Sequence, residues 1–174
     1  WTHLELKRYF GIDELLNESN ASSIYENVNA QLQQKENSVR GLLNQMNVET
    51  LCTTEDPTDT LEHHQAMKKE NFGIKVSTAF RPDKSILIDA EGYTDYLKEL
   101  GKVAEVDIQS FQDLKDALLK RIEYFDENGC KLCDHGLNSM SFAEFTDAEV
   151  DAALKAKLSG KSVSAEEAEK FKTA

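Results

Sequence analysis

The chain has 174 residues, of which 40% are hydrophobic and 30% charged, and its formal net charge is −12. This length suits one domain with its own core, and the spread of acidic residues argues against nucleic acid, whose binding requires clustered lysine and arginine. The apolar stretches, such as Ile86-Leu87-Ile88, are only a few residues long, so no membrane-spanning helix is predicted. A small anionic ligand stays open, because one arginine can bind a carboxylate inside an acidic protein.

The first 46 residues are predicted to be helical, with a polar loop over residues 11–20. Ile24, Val28 and Leu32 recur every four residues and form a stripe on one helical face. A second short helix is expected after Asn37-Ser38. We interpret residues 1–46 as a helical insertion region.

Residues 47–140 alternate between β-prone and helical patterns. A strand is predicted from Val48 to Thr54, followed by a helix over Thr60–Lys69. Apolar residues then alternate from Phe72 to Phe80, the period of a half-buried strand, and the run stops at Arg81-Pro82.

The second half of this segment contains the strongest predicted helix. After a short helix over Tyr93–Leu100, Ser110 is predicted to cap a helix whose buried stripe is Leu114, Leu118, Ile122 and Phe125. Gly129 is placed to end that helix in a left-handed conformation, and Cys130 to Cys133 follows as a very short strand.

The order strand, helix, strand, helix, strand predicts an α/β fold with about three parallel strands and right-handed crossovers. Residues 141–174 are predicted to be a helical region with capping boxes at Thr146/Glu149 and Ser164/Glu167. Because the chain starts at Trp1 rather than Met, we expect an excised piece, and because its last helix is short, we expect residues 141–174 to be truncated at the C-terminus.

Two residues at predicted strand ends are candidates for catalysis. Arg81 precedes proline, which keeps its backbone extended, and its guanidinium could bind a carboxylate or stabilise an oxyanion. Asp134 ends the third strand and could act as a general base or hold a substrate hydroxyl. The alternatives are a salt bridge from Arg81 to Asp83 and a turn cap at Asp134.

The polar run Thr53-Thr54-Glu55-Asp56 ends the first predicted strand. Its hydroxyls and carboxylates suit sugar hydroxyls, and they equally suit an N-cap for the next helix. We keep Thr54 and Asp56 as candidate substrate-binding residues. His135, beside Asp134, is a weaker candidate because it should point to the opposite side of its strand.

Cysteine and histidine pairs offer a metal alternative. Structural zinc needs four ligands, so Cys130-x-x-Cys133 favours buried strand cysteines over a zinc or redox site. His63 and His64 point about 100° apart on a helix and are expected on its solvated surface. Three cysteines also do not suit a secreted disulfide framework, which favours a reducing cytoplasm.

Several motifs, in order along the whole chain, resemble the uronate (glucuronate) isomerase family of the amidohydrolase superfamily. They are Trp1-Thr2-His3-Leu4-Glu5-Leu6, Ser38-Val39-Arg40-Gly41-Leu42, Cys52-Thr53-Thr54-Glu55-Asp56-Pro57, Leu61-Glu62-His63-His64, Phe80-Arg81-Pro82-Asp83-Lys84, Asp134-His135 and the closing Phe171-Lys172-Thr173-Ala174. Each motif is weak alone, and the ordered set is specific.

The resemblance implies a partial (β/α)₈ TIM-barrel segment with a substantial helical insertion. It implies interconversion of D-glucuronate with D-fructuronate, and of D-galacturonate with D-tagaturonate, by proton transfer between C1 and C2 through an enediol. The family's active-site arginine and aspartate fall on Arg81 and Asp134. The partner implied is a small hexuronate, with a homo-oligomer possible and neither nucleic acid nor membrane expected.

The resemblance also implies a divalent metal, Zn or Mn, in the full-length family, with no metal ligand in this chain. The family's His-x-His pair has no counterpart among the four histidines present. We therefore expect no bound metal and no isomerase activity from this chain alone. Three strands cannot close an eight-stranded barrel, so an exposed hydrophobic surface is expected, and a non-catalytic interaction or scaffold module is the alternative function.

Overall fold

A computed structural model describes residues 1–137 and 139–174 of the chain. The chain divides into two compact units, Trp1–Thr50 and Leu51–Ala174. Among the described residues, no helix is both long and apolar enough to cross a membrane. The three-part division at residues 46 and 140 stays a prediction.

The first unit contains three helices, α1 (Thr2–Phe10), α2 (Ala21–Leu32) and α3 (Val39–Gln45), and a turn of 3₁₀ helix at Lys35–Asn37. The Asn37 side chain is buried, where it donates to the Gln31 carbonyl and accepts from the Gln45 amide. A Cβ atom at Gly41 would lie 2.1 Å from the Glu36 carbonyl oxygen, so only glycine permits this close approach at the start of α3. The predicted helical character of this region is confirmed.

The second unit is built on a three-stranded sheet with strand order β1-β2-β3, comprising β1 (Thr50–Glu55), β2 (Lys75–Phe80) and β3 (Leu132–Cys133). Strands β2 and β3 are parallel, with Ala79 opposite Leu132 and Phe80 opposite Cys133. The crossovers contain α4 (Glu62–Glu70), α5 (Asp83–Ile86), α6 (Tyr93–Ala104) and α7 (Phe111–Glu127). The α/β class with three parallel strands is confirmed, with each strand beginning two or three residues later than predicted.

One face of the sheet is covered by helices. Phe80 of β2 packs edge-to-face on Phe125 of α7, with ring centroids 5.1 Å apart, and Leu61 and Cys130 complete this buried cluster. A larger core lies among α6, α7 and the two last helices, α8 (Asp147–Leu158) and α9 (Ala165–Thr173). Its most deeply buried members are Ile88, Leu97, Leu100, Leu114, Ala117, Val150, Ala153, Leu154 and Phe171.

The predicted helix caps are present. The Ser110 side chain accepts from the Asp113 backbone amide, and both capping boxes, Thr146/Glu149 and Ser164/Glu167, have both of their hydrogen bonds. Gly129 has φ 94° two residues after the end of α7, in the left-handed region as predicted. Helix ends in this unit are therefore set by local sequence.

Three predictions about burial were wrong. Ile122 was expected in the core, but it is 47% exposed, because α7 turns Ala117 and Arg121 inward instead. Cys130 and Cys133 were both expected to be buried strand cysteines, but Cys133 is exposed and only Cys130 of the pair is buried. His63 is on the helix surface as predicted, whereas the His64 side chain is only 13% exposed because it packs against β1.

Candidate functional site

The structure brings Arg81 and Asp134 together at the carboxyl edge of the sheet. The Arg81 Nε donates to Asp134 Oδ1 at 3.1 Å, and Nη2 donates to Oδ2, giving a bidentate pair. Two backbone hydrogen bonds fix the strand ends: Arg81 N–H donates to the Glu55 carbonyl, and Asp134 N–H donates to the Phe80 carbonyl. Both side chains therefore lie on one face of the sheet, opposite to that of Phe80.

The pair is accessible and charged. The Arg81 and Asp134 side chains are 39% and 42% exposed. The hydrogen bond from Arg81 holds the pKa of the Asp134 carboxyl below its usual value, and the charges of Arg81 and His135 act in the same direction. Arg81 donates to Asp134 through Nε and Nη2, and the Nη1 hydrogens take no part in this pair. Such a guanidinium can bind a further anion while it orients Asp134.

His135 belongs to a different arrangement on the other side of the strand. Its Nδ1 lies 2.8 Å from Asp83 Oδ1, and its Nε2 lies 3.7 Å from the Cys133 sulfur. Asp83 Oδ2 also accepts from the Gly136 backbone amide at 2.6 Å. The structure therefore does not bring His135 to the Arg81–Asp134 pair by any side-chain hydrogen bond among the described residues.

Thr54 lies in β1 and Asp56 directly follows the strand, and their environments differ. Thr54 is exposed, on the same face of β1 as Cys52. Asp56 Oδ1 accepts from both the backbone amide and the hydroxyl of Thr58, and Lys84 Nζ lies 3.6 Å from Oδ2. Asp56 therefore stabilises the turn after β1, in line with the capping alternative, and it keeps only limited capacity for a ligand.

A polar network beneath this edge was missed by sequence reasoning. The Glu55 carboxylate accepts from the hydroxyls of Thr53 and Thr78, and His64 Nε2 lies 3.7 Å from its Oε1. Thr53 Oγ1 also lies 2.7 Å from His64 Nε2. Because the Glu55 carbonyl accepts from Arg81 N–H, this network ties the ends of β1 and β2 together. The signal available was the alternation of β1, which puts Thr53 and Glu55 on one face.

Arg121 of α7 was also missed. Its buried guanidinium donates to the carbonyls of Pro57, Asp59 and Val103, at 2.7, 2.9 and 3.3 Å. Burial lowers the pKa of this guanidinium, and the nearby Tyr124 and Asp59 act in the opposite direction. Arg121 therefore stabilises the loop between β1 and α4 through backbone contacts, which no local sequence pattern predicts.

The residues present do not fit the divalent metal that the family resemblance implies. Among the described residues, no group of three or more His, Cys, Asp or Glu side chains is arranged to hold an ion. His64 Nδ1 is buried without a hydrogen-bond partner in the described part of the chain, but Glu55 is the one acidic side chain paired with the same ring there, so the ligands for an ion are too few. We therefore assign no metal ligand among the residues that the structure describes.

The sheet and its edge define the class of protein: a parallel α/β segment with an arginine–carboxylate pair at the carboxyl ends of neighbouring strands. The sequence profile of the glucuronate isomerase family matches residues 1–174. The chain is 49% identical over 174 residues to the uronate isomerase of Flavobacterium johnsoniae, covering 100% of this chain and 37% of that protein. It is 46% identical to that of Shouchella clausii, covering 99% of this chain and 37% of that protein.

Solved structures show the same relationship. The uronate isomerase of Thermotoga maritima superposes with a TM-score of 0.92 at 33% identity, over 99% of this chain and 38% of that chain. The glucuronate isomerase of Caulobacter crescentus gives 0.89 at 30% identity, over 99% and 36%. The chain belongs to the uronate isomerase family. It spans little more than a third of the length of the relatives it matches.

Proposed function

We propose that this chain forms part of the sugar-acid site of a uronate isomerase, with Arg81 binding the substrate and Asp134 handling its hydroxyls or protons. The observation that carries the proposal is the bidentate Arg81–Asp134 pair, exposed where β2 and β3 end. Family membership supports a hexuronate as the ligand. Arginine suits this role because its planar guanidinium can bind a carboxylate with two parallel hydrogen bonds.

The chemistry proposed is the interconversion of D-glucuronate with D-fructuronate, and of D-galacturonate with D-tagaturonate. Proton transfer between C1 and C2 requires a base and a positive charge that stabilises the enediolate. Arg81 supplies positive charge at this edge. Asp134 in the free chain is a weak base because Arg81 lowers its pKa, and a bound substrate anion would raise that pKa again.

The remaining candidates have smaller roles in this proposal. Thr54 is exposed on β1 and is available to a sugar hydroxyl, whereas Asp56 and His135 are held by Thr58, Lys84 and Asp83. We propose that the family's divalent metal, Zn or Mn, is held by residues of the isomerase other than the described residues of this chain. Cytoplasmic location is part of the proposal, supported by three cysteines that are all free, and so is assembly into a homo-oligomer.

Binding is tested directly by titrating the chain with millimolar D-glucuronate and following backbone amide NMR signals. We expect shifts centred on Arg81 and Asp134, and no comparable shifts with neutral D-glucose. The Arg81→Met variant should lose the shifts. Lys98→Met is the matched control, because it removes one positive charge from an exposed α6 side chain that pairs only with Asp95 among the described residues. Binding that survives in Arg81→Met would contradict the proposal.

Catalysis is tested separately with D-glucuronate and added Zn²⁺ or Mn²⁺. We expect no turnover from this chain, since its described residues form no metal cluster. Turnover near that of a full-length isomerase would refute this expectation. A non-catalytic interaction or scaffold module is the second candidate, favoured by exposed apolar residues such as Ile122 and Leu132. Absence of any D-glucuronate binding would favour it.

A further inference from the structure

A second cluster of reactive groups lies on the opposite side of β3 from Asp134. Cys133 is exposed, and its sulfur lies 3.7 Å from Nε2 of His135. The other ring nitrogen, Nδ1, lies 2.8 Å from the Asp83 carboxylate. Asp83 is itself fixed by the Gly136 backbone amide, so the three side chains form a continuous Cys–His–Asp series.

The order of these groups matters chemically. A carboxylate that accepts the Nδ1 hydrogen holds the imidazole in the tautomer whose Nε2 lone pair is free. That lone pair then faces the Cys133 thiol, at a distance within the range of hydrogen bonds to sulfur. Cys133, His135 and Asp83 thus line up in space as a nucleophile, a base and a group that orients the base.

We propose that Cys133 is a site of covalent modification by small neutral electrophiles, activated by His135, which Asp83 orients. The inference is independent of the sugar-acid function. In alkylation by iodoacetamide, the sulfur forms a bond to the CH₂ carbon, the C–I bond breaks and iodide leaves. The thiol proton passes to His135 Nε2 and then to water, so atoms and charge balance.

The surroundings favour a neutral, partly apolar reagent. A groove of about 450 Å³ beside Cys133 has the apolar residues Phe80, Pro82, Ile122 and Phe125 among those that line it. Asp126 and Lys131 at the same groove pair with each other. Anionic reagents are disfavoured by Asp83 and Asp134 and by the net charge of −12.

General-base activation is needed because the thiol is not acidic by itself. Partial burial raises the pKa of Cys133, and Asp134, Cys130 and Asp83 add to the rise. Partial burial also raises the pKa of Cys52, whose thiol donates a hydrogen bond to the Thr53 carbonyl. Cys52 is therefore an internal control, an exposed thiol with a similar electrostatic bias and no imidazole beside it.

The test is site-resolved alkylation of the intact chain by iodoacetamide at pH 7, measured by mass spectrometry. We expect Cys133 to react at least about tenfold faster than Cys52, below the range of enzymic general bases because the contact is long and exposed. Buried Cys130 should react slowest. Equal rates at Cys133 and Cys52 would overturn the proposal.

Variants identify the base. His135→Gln should lower the Cys133 rate to that of Cys52, and Asp83→Asn should lower it part of the way. His63→Gln is the matched control, since His63 is exposed and contacts no thiol among the described residues. An unchanged Cys133 rate in His135→Gln would also overturn the proposal.

The pH profile of the unmodified sequence decides the matter even if His135→Gln fails to fold. Cys52 should gain about tenfold per pH unit below its thiol pKa, because only its thiolate reacts. The Cys133 rate should rise less steeply with pH, because the imidazole accepts the thiol proton during the attack and no free thiolate is needed. A Cys133 profile parallel to that of Cys52 would show that His135 takes no part.

Discussion

The two faces of the three-stranded sheet differ in burial and in role. On the face covered by α4 and α7, Phe80 and Phe125 pack in a cluster that excludes water. On the other face, Leu132 is 58% exposed, and Arg81 and Asp134 meet in solvent contact. Because side chains alternate along a strand, adjacent residues such as Phe80 and Arg81 serve stability and chemistry respectively.

The difference shows how little of the stability depends on the candidate site. The covered face is held by burial of aromatic and aliphatic area, which is worth several kcal/mol per large side chain. The open face contributes an exposed ion pair, which typically contributes less than about 1 kcal/mol. The site residues can therefore be altered without loss of the fold.

The largest expected effect comes from truncating one side chain on each face of the sheet. Phe125→Ala should lower the free energy of unfolding by about 4 kcal/mol, because a buried ring that contacts Phe80 is replaced by a cavity. Leu132→Ala should change it by less than about 0.5 kcal/mol. Urea unfolding monitored by circular dichroism measures both. Similar losses in the two variants would show that the open face is not open in solution.

The next effect concerns the loop that carries Asp56. Arg121→Met should lower the free energy of unfolding by about 3 kcal/mol, because the carbonyls of Pro57 and Asp59 lose their charged donor. The control is Lys120→Met, which removes the same charge from an exposed position on α7. If Arg121→Met were as stable as the original sequence, the guanidinium would only fill space there.

Helix caps should give a smaller effect. Thr146→Ala removes the acceptor for the Glu149 amide and should lower the free energy of unfolding by about 1 kcal/mol. Thr146→Ser keeps the hydroxyl and should restore most of that loss. The same denaturation experiment decides, and a Ser variant as weak as the Ala variant would indicate that the methyl group, rather than the cap, is what matters.

The smallest effect is a pH dependence at the same helix. Hydrogen bonds from Lys170 and from Thr146 lower the pKa of Glu149 to about 2. A depressed carboxyl pKa stabilises the fold above the unfolded value near 4.5, and this contribution is lost as the pH falls towards 2. Glu149→Gln should therefore flatten the decline of the urea midpoint between pH 5 and pH 2. An unchanged decline would assign the acid sensitivity to other carboxyls.

Local patterns predicted the strand ends and the helix caps because both depend on neighbours in sequence. Arg81 was found because it follows an alternating run and precedes proline, and Ser110 because it stands three residues before Asp113. These features need no knowledge of tertiary contacts.

The rotation of α7 could not be predicted in this way. Spacing from Leu118 indicated Ile122 as a core residue, but Arg121 is buried instead because three distant carbonyls accept its hydrogen bonds. The prediction that His64 lies on the surface was wrong for a similar reason, because its contact with Thr53 joins α4 to β1. Long-range hydrogen bonds outweigh hydrophobic periodicity at these positions.

The most direct measurement is the pKa of the Asp134 carboxyl group, determined from the ¹³C chemical shift of its carboxyl carbon. It is measured in the absence and in the presence of saturating D-glucuronate. In the free chain we expect a pKa below the ordinary value of 3.8, because Arg81 stabilises the carboxylate. With D-glucuronate bound, the pKa should rise, since the ligand anion shares the Arg81 charge. A pKa that is identical with and without the ligand would contradict the claim that Arg81 and Asp134 form the sugar-acid site.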